Sequence, residues 1–92
     1  VPHMVPIWVA VLLISDQVAQ KIISKHGITP DEVRHAIQCK PRLRGRHEQD
    51  PPRGPRYYLK VEIRGRRCLA VLYPSPKDRE TFALGSVYEV EG

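Results

Sequence analysis

The sequence predicts an α+β domain: a two-layer fold of order β-α-α-β-β-β, with two short helices packed on one face of a mostly antiparallel sheet. Three observations carry this expectation. Residues 15–37 read as two capped helices with the break between them spelled out. Residues 57–73 alternate apolar and polar side chains on both sides of a tight turn, and Ile7 to Ile14 is an unbroken apolar run. A chain of 92 residues makes one domain with a core of modest size. Val1 to His3, ahead of Met4, reads as a cloning remnant, which leaves 4–92 as the single domain.

The first strand is expected over Ile7 to Ile14, apolar on both faces and hence central or covered on both sides, with Trp8 in the core. Eight residues are too few to span a bilayer, so no membrane partner is expected. The run also lacks the basic start and small-residue cleavage site of a secretory signal, which points to the cytoplasm.

Helices are expected near 16–26 and 30–39. Ser15 caps the first, and Val18, Ala19, Ile22, Ile23 and His26 recur on one face at helical spacing. Gly27 provides the left-handed stop, followed by the apolar Ile28. Thr29, Pro30 and Glu32 then form a Thr-x-x-Glu capping box with proline at the first helical position. Val33, Ala36 and Ile37 line the second helix, which Pro41 ends.

Lys40 to Arg56 holds four prolines, two glycines and six basic residues without apolar periodicity, so a long basic loop is expected over 40–56, with residues 42–55 mobile in the free protein. Tyr57, Leu59, Val61 and Ile63 then face one way and Tyr58, Lys60, Glu62 and Arg64 the other. Gly65-Arg66 is expected as a two-residue turn. Turn parity places Cys68, Ala70 and Leu72 beside Leu59, Val61 and Ile63 under the helices, and Leu69, Val71 and Tyr73 on the open face. A last strand is expected over Glu80 to Val90, with the facing of Phe82, Leu84 and Tyr88 left open.

A net charge of +5, concentrated between Arg34 and Arg79, points to an anionic partner rather than to a fold. Two cysteines, Cys39 and Cys68, are too few for a disulfide framework and are expected as reduced thiols. No nucleotide, nucleophile or metal-ligand motif occurs, so neither cofactor nor metal is implied. A basic sheet face with tyrosines beside it suits RNA, because cations bind phosphate and tyrosines stack on unpaired bases.

The run Lys25-His26-Gly27-Ile28-Thr29-Pro30-Asp31-Glu32-Val33 is similar to the helix junction of BrnT-like proteins. Arg56-Tyr57-Tyr58, continuing through Gly65-Arg66-Arg67 to Leu69 and Tyr73, is similar to their paired central strands. From about Ile14 to Tyr88 the chain therefore resembles the RelE/BrnT-like ribonuclease toxins of bacterial type II toxin–antitoxin systems. The resemblance implies metal-independent cleavage of RNA, including ribosome-bound mRNA, and neutralisation by an acidic antitoxin protein. In that reading Lys60, Arg64 and Arg67 hold phosphate and stabilise the transition state, and His47 or Tyr88 moves protons. Arg42, Arg44, Arg46, Arg53, Arg56, Arg66 and Tyr58 would bind the RNA. Two alternatives stay open: a non-catalytic basic domain of the same fold that binds RNA or an acidic protein, and a homodimer built by exchanging the first strand.

Overall fold

The computed structural model describes residues 4–52 and 54–90. Its two helices follow from their caps. In α1 (Asp16–His26) the Val18 N–H donates to Ser15 Oγ at 3.2 Å. At its other end Gly27 adopts φ 66°, and the Gly27 and Ile28 N–H groups donate back to the carbonyls of Ile23 and Ile22. In α2 (Pro30–Ile37) the capping box closes in both directions: the Glu32 N–H donates to Thr29 Oγ1 at 3.3 Å, and the Thr29 N–H donates to Glu32 Oε1 at 3.0 Å. This helix ends before the expected 39, because Cys39 turns left-handed (φ 57°) to donate its N–H to the Val9 carbonyl at 2.7 Å.

Among the described residues six strands form one sheet: β1 (Met4–Ile7), β2 (Val11–Leu13), β3 (Leu43–Asp50), β4 (Gly54–Ile63), β5 (Arg66–Pro74) and β6 (Thr81–Glu89). Their order across the sheet is β1-β3-β4-β5-β6-β2, and only β2 and β6 run parallel. The α+β class with helices on a mostly antiparallel sheet is what the chain forms.

The apolar run at the start departs from expectation. It is two short strands on opposite edges of the sheet, not one central strand. Trp8–Val9–Ala10 alone connect them, which holds the two edges within about 14 Å of each other there. The sheet therefore curls around the core, with Ile7, Val9 and Leu12 buried inside. Trp8, Val11 and Leu13 lie exposed, as side chains on the outer side of an edge do; Trp8 is not a core residue.

The expected basic loop is also different. Leu43–Asp50 is a strand paired with β4 from Gly45↔Leu59 to Asp50↔Gly54, so the segment is a hairpin rather than a mobile loop. Its inward alternation is hidden because one core position carries no side chain. A Cβ on Gly45 would stand 2.4 Å from Ile7 Cδ1 and 2.8 Å from Leu59 Cδ1, so neighbouring residues fill that space.

Ile22, Val33 and Ile37 from the helices pack against Leu59, Ala70, Leu72 and Val87 of the sheet. Leu59, Val61, Ile63, Cys68, Ala70 and Leu72 are all buried on that side, as parity requires. The turn itself sits one residue earlier than expected. Ile63 pairs with Arg66, and Arg64 and Gly65 are the two central residues, with φ 55° and 75°. Faces survive this shift because the loop length stays even. In β6, Leu72 pairs with Leu84 but Val71 with Ser86, so Gly85 is an extra residue that reverses the alternation. Phe82 and Leu84 before it and Val87 after it all reach the core. Ile23, expected on the apolar face of α1, is half-exposed instead.

Candidate nucleic-acid interface

The helices cover one face of the sheet, and register defines what lines the other. Arg44, Arg46, Glu48 and Asp50 on β3 stand beside Arg56, Tyr58, Lys60 and Glu62 on β4, and Arg67, Leu69, Val71 and Tyr73 follow on β5. Five cations against three carboxylates leave the β3–β5 part of this face positive.

Tyr58 organises its centre. It pairs across the ladder with Arg46, and Arg56 lies two residues before it on the same strand. The guanidinium carbons of Arg46 and Arg56 lie over the Tyr58 ring, 5.1 Å and 5.2 Å from its centroid. Glu48 bridges the two arginines, at 2.8 Å to Arg46 Nη2 and 3.4 Å to Arg56 Nη2. Asp50 adds a contact at 3.2 Å to Arg56 Nη1. A hydrogen bond with Tyr73, and then the neighbouring Tyr58, Asp50 and Glu48, push the Arg56 guanidinium still further toward its charged form. The Nε atoms of both arginines are enclosed without a hydrogen-bond partner among the described residues.

Beside this cluster lies a depression of about 660 Å³, lined by Met4, Arg46, Tyr58, Lys60, Arg67 and Leu69, among others. Cations therefore meet an apolar floor and a ring in one concave place.

The residues expected to act in catalysis do not all converge there. Lys60 and Arg67 line the depression. Arg64, expected on the same face, sits at the β4–β5 turn and binds Glu32 of α2 on the helix side. His47 pairs with Tyr57, so it stands on the helix-facing side, with the two rings 5.1 Å apart. Tyr88 pairs with Leu69 and is partly exposed, and its ring lies 6.4 Å from that of His26. Lys60 and Arg67 are the pair the fold assembles.

Of the expected RNA-binding residues, Arg44, Arg46, Arg56 and Tyr58 share the open face. Arg42 precedes β3 in a left-handed turn, and Arg66 binds Glu89 at 3.2 Å near the β4–β5 turn. Arg53 lies outside the described residues. Sequence reading placed Tyr73 on the open face without a role there and missed Glu48 and Asp50 as members of the site. Their signal was the period of two in Arg44, Arg46, Glu48 and Asp50, which is the polar side of a strand.

No group of three or more His, Cys, Asp or Glu side chains is placed to hold a metal among the described residues. No helix among them is long and apolar enough to cross a membrane. The chain matches no family model, and no curated protein and no solved structure matches it.

Proposed function

We propose that this protein binds single-stranded RNA on the uncovered face of its sheet. The observation that carries the reading is the clustering of Arg46, Arg56 and Tyr58 beside Lys60 and Arg67 around one concave surface. Cations that track a phosphate backbone, combined with planar stacking groups, are what sequence-tolerant binding to single strands requires. Fluorescence anisotropy with a labelled RNA oligonucleotide across a salt series tests it. Affinity should be measurable at low salt and fall with salt, with log K losing about 0.7 per phosphate contact for each decade of salt. Replacing Lys60 and Arg67 together by Ala should flatten that slope. No RNA binding at low salt would overturn the reading and leave an acidic protein as the partner.

A second reading, metal-independent ribonuclease activity of the toxin type, is favoured by Lys60 and Arg67 lining the same depression. Attack by the 2′-hydroxyl needs positive charge at the phosphate and a proton acceptor nearby; it breaks the P–O5′ bond, leaving a 2′,3′-cyclic phosphate on one product and a protonated 5′-hydroxyl on the other. Cleavage that persists in a chelator and is lost in Lys60→Ala would support it. Intact RNA after incubation with and without ribosomes would remove it while leaving the binding role.

A further inference from the structure

We propose that the Arg46 guanidinium, and not the Tyr58 ring, is the surface on which an unpaired RNA base stacks; this rests on the RNA-binding reading above. Tyr58 has the expected stacking chemistry, but its ring is already engaged by two guanidiniums of the same chain. The next candidate plane must therefore belong to one of those arginines. Arg56 is committed: it binds both Glu48 and Asp50, and its side chain is 27% exposed. Among the described residues Arg46 has one acidic partner, Glu48, and a side chain 43% exposed, and it lines the depression that holds Lys60 and Arg67.

The chemistry of the guanidinium completes the argument. It is flat, delocalised and weakly hydrated, so the part of its plane not used by Tyr58 accepts a base by stacking and cation–π contact. Tyr58 behind it and Glu48 at its edge hold it in place, so little side-chain freedom is lost on binding. Lys60 and Arg67 are then placed for the adjoining phosphate. Met4 and Leu69 give the depression an apolar floor beside that plane, while Glu62 also lines it.

The test compares a labelled RNA oligonucleotide with the same strand carrying abasic positions, each titrated into the folded protein. Wild type should prefer the base-bearing strand by about 5- to 100-fold. Arg46→Lys keeps the charge and removes the plane, so it should lower affinity for the base-bearing strand far more than for the abasic strand and so erase that preference. Tyr58→Leu, which removes the backing, should lower the preference in the same direction. Lys60→Ala should weaken both strands alike. A preference retained in Arg46→Lys would overturn the stacking assignment while RNA binding stands. Failure of wild type to bind either strand, with binding to poly-glutamate instead, would overturn both.

Discussion

Arg64 grips Glu32 through two of its nitrogens, and so joins the β4–β5 turn to the first turn of α2. The same carboxylate closes the capping box with Thr29, so one side chain serves a helix end and a sheet corner together. The hydrogen bond from the Thr29 backbone, followed by those from Arg64 and the Thr29 hydroxyl, holds Glu32 below its ordinary carboxylate range. Asp78 is lowered too, by the Glu80 N–H and the Thr81 hydroxyl. A carboxylate depressed by folding stabilises above its unfolded pKa, and that contribution is lost as pH falls through the folded value. Thermal melts should therefore show stability falling on acidification below the ordinary carboxylate range. Glu32→Gln should flatten that limb, and Glu32→Ala should lower Tm more than Arg64→Ala, which leaves the capping box intact. Thr29→Ala should cost about 0.5–2 kcal/mol through the cap.

Two glycines should respond to Ala for different reasons. Gly65 has φ 75° and open space around it, so Gly65→Ala should cost about 1–2 kcal/mol in backbone strain alone. Gly45→Ala puts a methyl against Ile7 and Leu59 and should cost about 1–3 kcal/mol by overpacking. Adding Ile7→Val should recover part of the second loss and none of the first, as read by urea denaturation.

The two thiols should separate cleanly. Cys39 is exposed, whereas burial, with a smaller contribution from Glu89, pushes the Cys68 thiol up. Ellman's reagent should titrate one thiol quickly in the native protein and the second only in denaturant. Cys39→Ser should abolish the fast phase; a fast phase that persisted would contradict the burial of Cys68.

Glu48 offsets part of the positive charge of Arg46 and Arg56 on the face that would meet RNA. Glu48→Gln should therefore raise RNA affinity at low salt by about two- to five-fold, the scale of an exposed charge pair. Anisotropy titration against wild type checks this, and weaker binding would show that Glu48 chiefly positions Arg46.

Both helices were legible in the sequence because Ser15, Gly27, Thr29 and Glu32 act locally, each through a bond to a nearby backbone group. What the sequence hid was set by distant residues. β3 was obscured because its central inward position is Gly45, whose space belongs to Ile7 and Leu59. The facing of β6 was obscured because Gly85 reverses its alternation midway. In the site, the open-face placement of Tyr58 and Lys60 followed from parity alone. Arg64 did not follow, because the turn begins one residue early and hands it to Glu32. Nor did His47, which registers opposite Tyr57 on the far side of the sheet.

Two side chains, Arg34 of α2 and Gln38 at its C-cap, cover one border of the sheet. The Leu12 N–H donates to Gln38 Oε1 at 3.0 Å, while Arg34 Nε reaches the Leu12 carbonyl at 3.4 Å. These two side chains take the place an additional strand would occupy beside β2, so this border of the sheet is closed to growth. Another chain adding there would first have to displace Gln38 and Arg34 from Leu12. The molecule thus carries its own terminator against edge-to-edge polymerisation on the side where its most exposed apolar strand lies.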